Sequence, residues 1–458
     1  VTIPASEAVR AADARVLAGD AVPRELRFST DTRTLERGDV FVALRGERFD
    51  GHAYVAAALA AGAAAIVVDD AASVPPGVPA LVVGDTTAAY LAFASVARAR
   101  TRARVAAVTG SAGKTTTKAF LAHVLGTSAR TVATPRNENN EIGVAKLFLA
   151  LPDDAAFVVV EFGARHYGEI ATLAHAVRPD VAVVTNIGEA HLEIFGSRER
   201  LAQTKWGIFD AGARRVANAA DRDSRALAAR DGVPGLWFGV DGDPDAPRGE
   251  RFVRLCGRTS LEISGEGAAL RSFPTDVAVP GEHNLRNVAA AAAVALELGL
   301  APDRVAAALA SLSLPEGRYE RSSPGDFDVI YDAYNANPSG MRATLESFAR
   351  EEASRRIAVL ASMAELGDDA AEMHRKVGAA AALAGLDALL VGGDFAAELA
   401  SGARAGGLPE SRIVPFASND AAIAWLRSNA RAGDLVLLKG SRRYKLEDVL
   451  AGLRGAHA

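Results

Sequence analysis

Val105-Ala-Ala-Val-Thr-Gly-Ser-Ala-Gly-Lys-Thr-Thr116 decides how this chain is read. Val105 to Thr109 read as a buried strand, Gly110 to Gly113 as a glycine-rich turn, and Thr116–Leu125 as the helix that follows. Such a turn aims backbone N–H groups at one point, and the helix N-terminus behind it favours negative charge, so together they cradle phosphate oxygens. On this reading Gly110, Ser111, Ala112, Gly113, Lys114, Thr115 and Thr116 hold a nucleoside triphosphate. Lys114 neutralises the β- and γ-phosphates and Thr115 holds magnesium. Val108 stands where the fullest form of the motif has its first glycine. A chance Gly-Lys-Thr in a loop is common, but one set between a strand and a helix is not.

Working outward, Phe157–Glu161 and Val181–Thr185 are apolar runs with few polar residues, as in strands covered on both faces. Helical stretches such as Glu169–Ala176 lie between them, which is the signature of a parallel sheet with helices on both sides. Arg251 to Val279 alternates more and predicts antiparallel strands at an edge, before helices over Asn284–Leu298 and Asp303–Ser311. Upstream, strands at Asp39–Leu44, Ala64–Val68 and Ala80–Val83 and helices at Tyr54–Ala61 and Thr87–Arg100 predict a mixed α/β unit ending near residue 104. Pro315-Glu-Gly-Arg318 punctuates the chain again. Beyond it, strands at Asp328–Asp332, Ile357–Ala361, Ala388–Val391 and Leu435–Lys439 alternate with helices at Gly340–Arg350, Met373–Ala384 and Asn419–Ala430. The expected division is 1–104, 105–316 and 317–458, in keeping with 458 residues and roughly 150 per domain.

The formal net charge of −5 argues against a nucleic-acid binder driven by phosphate attraction, while leaving room for a locally basic pocket. The one cysteine, Cys256, can form neither an internal disulfide nor a cysteine-rich zinc site, and reads as an inert thiol in a reducing compartment. Val1–Ala14 carries Glu7, Arg10 and Asp13 and lacks a signal peptide's apolar core. Val55–Val68 is apolar but short and broken by Gly62. The expectation is a soluble, cytoplasmic protein, not embedded in a membrane.

Three further residues carry chemistry. Glu161 ends a buried strand, where a carboxylate either holds metal beside the phosphates or serves as a cap or ion-pair partner. His191, in Thr185-Asn-Ile-Gly-Glu-Ala-His-Leu-Glu193, follows another strand end among acidic residues and reads as an active-site residue, although a lone histidine is usually structural. Lys205 lies in a helical stretch, Arg198–Phe209, and on local grounds is a solvated surface lysine.

The combination points further. Thr109–Thr116, Asn137-Glu-Asn-Asn-Glu-Ile-Gly143, Thr185–Glu193, Gly281-Glu-His-Asn284, Gly317-Arg318, Asp332-Ala-Tyr-Asn-Ala-Asn-Pro338, Met363-Ala-Glu-Leu-Gly367 and Lys439-Gly-Ser-Arg442 occur in this order. They resemble the Mur ligases of bacterial cell-wall synthesis, and the Asp332–Pro338 and Met363–Gly367 segments look most like the MurF type. Ser29-Thr-Asp-Thr-Arg33 and Phe41–His52 resemble that type too. The resemblance covers nearly the whole chain. It implies an α/β chain of three domains: a smaller mixed α/β domain for the UDP-sugar, a central P-loop ATPase with a parallel sheet, and a C-terminal Rossmann-like domain that binds the amine substrate. The implied activity is ATP-dependent joining of D-alanyl-D-alanine to UDP-N-acetylmuramoyl-tripeptide through an acyl phosphate, by a monomer that binds no nucleic acid. The implied cofactors are ATP and two magnesium ions.

Carried over residue by residue, the resemblance assigns Lys114, Lys205, His191, Arg318 and Lys439 to catalysis. Thr115, Glu161, His191 and a carbamylated Lys205 would hold metal. Asn284 would face the adenine, Arg318 would reach the γ-phosphate, Asp332 would bind ribose, and Tyr334 and Asn335 would lie near the nucleotide. Thr30, Asp31, Arg33, Arg45, Asp50 and His52 would line the UDP site, and Asn137, Asn139, Asn140 and Arg442 would contact substrate. Arg165, Gly207 and Ser362 depart from the residues common in this type (Asn, an acidic residue and Asp). One rival is another ligase of the superfamily, such as a folylpolyglutamate synthase-like or cyanophycin-type enzyme, which would share the ATP chemistry but not the UDP segment. Another is a P-loop regulator that hydrolyses ATP to switch conformation; it leaves Asp332–Pro338 and Lys439–Arg442 without a task.

Overall fold

Val105 to Val108 are wholly buried, and their side chains alternate between two apolar cores. Val105 and Ala107 face one core and Ala106 and Val108 the other, as the two-residue period of a strand requires. This strand, Arg104–Thr109, pairs in parallel with Phe157–Glu161 on one side and Val181–Val184 on the other. The chain therefore leaves it in opposite directions, and a crevice opens at its carboxyl end.

The computed structural model describes residues 1–46, 49–188, 195–233, 235–265 and 268–454. Its central sheet has nine strands. Seven are parallel, in the spatial order Thr131–Ala133, Phe157–Glu161, Arg104–Thr109, Val181–Val184, Arg214–Asn218, Leu236–Val240 and Arg251–Cys256. Ser260–Gly265 and Ala268–Pro274 close the edge antiparallel. Helix Lys114–Gly126 packs on one face beside helix Glu282–Glu297. Five consecutive buried alanines, Ala289 to Ala293, keep the latter helix thin enough to lie close.

The N-terminal sheet runs Arg15–Leu17, Ala80–Val82, Ala65–Val68, Val40–Val42 and Phe28–Ser29, parallel except for the first pair. Helix Thr86–Arg100, capped by Asp85, buries Tyr90, Phe93 and Ala94 in the core that also holds helices Glu141–Leu149 and Glu169–Val177. The N-terminal and central layers thus share one apolar cluster.

The C-terminal sheet orders Glu320–Ser322, Asp328–Tyr331, Asp434–Lys439, Arg355–Ala361, Ala388–Gly392 and Ile413–Pro415. All are parallel except the first. The fold is α/β in three sheets with helices between and around them. Among the described residues no helix is long and apolar enough to cross a membrane.

Candidate active site

Gly110 has φ +149 and Gly113 φ +80, so both need conformations that L-residues rarely adopt. They also need the space. A Cβ on Gly110 would stand 1.9 Å from Thr185 Oγ1, and one on Gly113 2.2 Å from Asn287 Oδ1. The neighbouring strand end shapes the loop. Asn186 accepts from Ser111 N through its carbonyl (3.0 Å) and from Ala112 N through Oδ1 (2.9 Å), while Thr185 Oγ1 donates to Ala112 O (2.6 Å). Gly188 N donates to Ser111 Oγ at 2.9 Å. Lys114 Nζ donates to Gly110 O at 2.8 Å, folded back over the loop. Burial draws the Lys114 pKa down, Glu161 opposes this, and the Arg318 guanidinium lowers it further.

Glu161 lies beside Val108 in register and is buried. Its Oε1 accepts from Asn139 Nδ2 at 2.8 Å and lies 3.4 Å from Thr115 Oγ1. Its Oε2, also buried, faces Lys118 Nζ at 3.1 Å yet makes no hydrogen bond to any described residue. Lys118 donates instead to Arg136 O at 2.6 Å. A carboxylate with an unsatisfied oxygen beside a threonine hydroxyl offers the hard oxygen ligands that suit magnesium, which takes few protein ligands and the rest from phosphate and water. No three His, Cys, Asp or Glu side chains gather as a metal cage among the described residues. His191 lies outside the described residues.

The opposite wall comes from the C-terminal layer. Asp332 and Lys439 are a buried ion pair: Nζ to Oδ2 is 2.6 Å, and Nζ also donates to Asp332 O at 3.1 Å. Thr344 Oγ1 donates to the same Oδ2 at 2.6 Å, leaving Oδ1 for a ligand. Burial alone would raise the Asp332 pKa, but the charges of Lys439 and His283 outweigh it and hold it below the usual carboxylate value. Asn337 caps helix Pro338–Ala349 and reaches Ser111 O at 3.3 Å, so the two layers touch at the phosphate loop. Between them lies a cavity of about 150 Å³, lined by the loop, Asn284, Arg318, Asp332, Asn335 and Lys439. Tyr334 and Arg442 stand outside this lining, with Arg318 and Arg442 both over the Tyr334 ring.

Lys205 is buried, on helix Arg198–Trp206, and its amine bonds to no described residue. Burial first, and then the charge of Lys114, push its pKa well below that of an ordinary lysine. The surface-lysine alternative therefore fails, because packing and not sequence sets its exposure. Trp206 packs in the core, edge-on to Phe209 at 4.9 Å.

Thr30, Asp31 and Arg33 line a second, larger cavity of about 910 Å³ between the N-terminal sheet and helix Glu141–Leu149. Arg45, Asp50 and His52 do not line it. They form their own cluster around Asp69, with Arg45 Nη2 2.9 Å and His52 Nε2 3.2 Å from Asp69 Oδ1 and His52 Nδ1 2.7 Å from Asp50 Oδ1. Phe49 of the same hairpin does reach the cavity. Of the asparagines, Asn139 serves Glu161, Asn140 caps helix Glu141–Leu149 through Gly143 N (3.0 Å), and Asn137 is exposed.

Sequence reasoning missed Asn186, Asn287, His283, Asn337, Thr344 and Lys118. Asn186 and His283 lie inside motifs already singled out. Asn287 follows one helical turn after Asn284, and Lys118 one turn after Lys114, so i+3 and i+4 spacing could have found both. Of the three departures, Gly207 has a steric reason: a Cβ there would meet Ala171 Cβ at 3.2 Å. Ser362 Oγ accepts from Phe395 N at 2.9 Å, fixing the turn after strand Ala388–Gly392. Arg165 is exposed, its backbone N bonded to Glu169 Oε2 at 2.6 Å.

Comparison with known proteins gives concordant findings. Three family profiles match in succession: "Mur ligase family, catalytic domain" over 28–110, "Mur ligase middle domain" over 108–295, and "Mur ligase, glutamate ligase domain" over 317–442. The UDP-N-acetylmuramoyl-tripeptide–D-alanyl-D-alanine ligase of Bacillus subtilis is 33% identical over 430 residues, covering 93% of this chain and 92% of that one. A crystal structure of MurF from Acinetobacter baumannii superposes with a TM-score of 0.86 at 29% identity, covering 99% of each chain. The MurF ligase of Thermotoga maritima in complex with ADP superposes with a TM-score of 0.81 at 29% identity, covering 94% of this chain and 97% of that one.

Proposed function

This chain belongs to the Mur ligase family, and we propose that it joins D-alanyl-D-alanine to UDP-N-acetylmuramoyl-tripeptide at the expense of ATP, in peptidoglycan precursor synthesis. One observation carries the reading: a phosphate loop from the central layer faces Arg318 and the Asp332–Lys439 pair from the C-terminal layer across one cleft. A simple ATPase switch needs only the first half.

The domains divide the work, with residues 1–104 for the UDP-sugar, 105–316 for ATP and 317–458 for the amine. The loop from Gly110 to Thr116 holds the triphosphate, Asp332 Oδ1 takes the ribose hydroxyls, and Asn284 and Asn287 face the base. The acceptor carboxylate attacks the γ-phosphorus, and the bond to the β,γ-bridging oxygen breaks, giving an acyl phosphate and ADP. The dipeptide amine then adds to the acyl carbon, loses its proton, and phosphate leaves. Lys114 and Arg318 balance the charge on the transferred group, and position does most of the rest. Magnesium, as two ions with Thr115, Glu161 and His191 among the ligands, would add charge neutralisation at the phosphates. The 150 Å³ cavity is smaller than the roughly 300–1,000 Å³ of ligand pockets, so nucleotide enters with the C-terminal layer swung away about residues 315–317. Closure then excludes the water that would hydrolyse the acyl phosphate.

Lys205 supports a further element of the reading. Carbamylation requires a neutral amine that attacks carbon dioxide and releases a proton. Burial beside Lys114 shifts Lys205 toward that neutral amine. The resulting carbamate is an anion with oxygen ligands, complementary to Lys114 and to metal. We keep a monomer as the expected working unit, and the use of ATP suits the cytoplasm. The test is ADP release by the purified chain with UDP-muramoyl-tripeptide, varying the amine among D-Ala-D-Ala, D-Ala-D-lactate and single amino acids. Turnover that ignores the amine would refute the ligase reading.

A further inference from the structure

Many arginine side chains among the described residues are matched to a carboxylate, as Arg33 is to Asp31 and Arg286 to Asp243. Arg318 and Arg442 are not: neither guanidinium makes a hydrogen bond or ion pair to any described residue. What they share is one aromatic ring. The Arg318 guanidinium carbon lies 4.5 Å, and that of Arg442 5.1 Å, from the centroid of Tyr334. Two like charges gathered on one ring without a counter-ion repel each other, and the ring quadrupole is the attraction that holds them there.

The backbone is built for this contact. Gly317, at φ +71, leaves the ring room: a Cβ there would stand 3.4 Å from Tyr334 Cβ and from Tyr331 Cε1. On the other side of Arg318, Tyr319 sits at φ +55 and is buried, its hydroxyl 3.2 Å from Glu351. The arginine therefore leaves a hinge fixed at both flanking residues. Arg318 lines the nucleotide cleft, whereas Tyr334 does not, so the ring reaches the nucleotide through the arginine.

We propose that Tyr334 is a positioning residue: its ring holds Arg318 and Arg442 as a two-armed anion clamp, Arg318 aimed at the γ-phosphoryl group and Arg442 at a substrate carboxylate. The proposal rests on the ligase reading above and gives Tyr334 a role distinct from direct nucleotide contact. Arg442 is exposed and outside the cleft, where an anion from the second or third substrate can reach it.

The test uses the full chain and the variants Tyr334→Leu and Tyr334→Phe, each checked by its melting temperature. The readout is the ratio of ATP to ADP affinity by calorimetry, which isolates the grip on the γ-phosphate. Tyr334→Leu should lower that ratio roughly five- to tenfold, the scale of a half-buried cation–π contact, with ADP affinity unchanged, and Tyr334→Phe should restore it. In an Arg318→Ala background, Tyr334→Leu should add nothing further, since the ring acts through the arginine. For the second arm, Tyr334→Leu should raise KM for D-Ala-D-Ala, and loss of that effect with the dipeptide amide would assign Arg442 to the dipeptide carboxylate. An effect that persists with the amide would assign it to the acceptor's carboxylate. A ratio within twofold of wild type in Tyr334→Leu, or equal loss of ATP and ADP affinity, overturns the proposal. Failure of the wild-type chain to bind ATP overturns the ligase reading with it.

Discussion

Replacing Lys439 by methionine tests whether that lysine holds Asp332 or touches the reacting atoms. Both members of the pair are buried, the contact is 2.6 Å, and Thr344 is the other donor to the same oxygen. Lys439→Met therefore strands a carboxylate in a site that burial alone would make hostile to charge. Breaking a buried pair from one side costs about 3–5 kcal/mol, far more than the pair is worth against an apolar replacement. For a layer of intermediate size, each kcal/mol shifts the melting temperature by about 3–4 °C, so the C-terminal transition should fall by roughly 10–20 °C. Calorimetry of the full chain reads this directly. The double variant Lys439→Met with Asp332→Asn removes the stranded charge and should recover most of the loss, while KM for ATP stays high because the carboxylate proposed to take the ribose hydroxyls is gone. A single variant that melts within about 3 °C of wild type yet is inactive would refute the structural role and place Lys439 at the chemistry.

Other outcomes follow from the same geometry. Lys205→Ala should lose more than about a hundredfold in turnover, with partial rescue by acetate or formate; full activity, or a mass spectrum showing no carbamate on the wild-type lysine under carbon dioxide, would remove that assignment. Gly110→Ala places a Cβ 1.9 Å from Thr185 Oγ1 at a backbone φ of +149, so ATP binding should vanish and stability fall by about 3 kcal/mol; a variant that still binds ATP would show the loop to be loose. His283, bonded to Ser347 at 2.8 Å, has its pKa lowered to about 4, first by burial, with Asp332 opposing. Because the unfolded chain takes up that proton first, its stabilisation is full above about pH 6.5 and is lost as pH falls through 4. Wild type should lose roughly 2–3 kcal/mol across that window, and His283→Gln should flatten the profile; identical profiles would count against the assignment. A fragment starting at residue 105 should aggregate, since it strips helix Thr86–Arg100 from the shared core, whereas one starting at residue 85 should stay soluble; equal solubility of the two would refute the packing argument.

What the sequence showed best were the elements whose burial is written in consecutive residues. Val105–Val108, Val181–Val184 and Val288–Ala295 of the alanine-rich helix Glu282–Glu297 are unbroken runs of buried apolar residues. The strands Arg214–Asn218 and Leu236–Val240 were not foreseen. The first opens on two arginines, and the second is five residues long with a glycine inside. Arg215 can enter a strand because its guanidinium is shared between Glu250 and the faces of Trp206 and Trp237, partners 35, 9 and 22 positions away, beyond any local window. The site divides in the same way. The phosphate loop is a local device and was readable as one, whereas the Asp332–Lys439 pair spans 107 positions and the ring contact of Arg442 with Tyr334 spans one more. Motif order indicated which residues matter, and only the fold shows which of them hold one another.

That pairing pattern has a consequence for how the cleft works. Lys118 is balanced by Glu161 and Lys439 by Asp332, so these cations are committed to the walls. Lys205 is held toward neutrality. Lys114, Arg318 and Arg442 remain without a carboxylate partner among the described residues, two of them lining one small cavity. Like charges brought together in a partly desolvated cleft oppose its closure, and Arg318 already depresses the Lys114 pKa. A bound triphosphate reverses the sign of that term, because its oxygens attract the same groups that otherwise repel. Closure of the C-terminal layer is then coupled to nucleotide by charge alone, before the acceptor or the amine contributes any contact. ADP lacks the γ-phosphate proposed to meet Arg318, so it restores part of the repulsion and favours reopening. On the proposed ligase reading the charges set an order of events: triphosphate closes the cleft, transfer moves one phosphoryl group onto the acceptor within the same cluster of cations, and departure of free phosphate releases the proposed clamp.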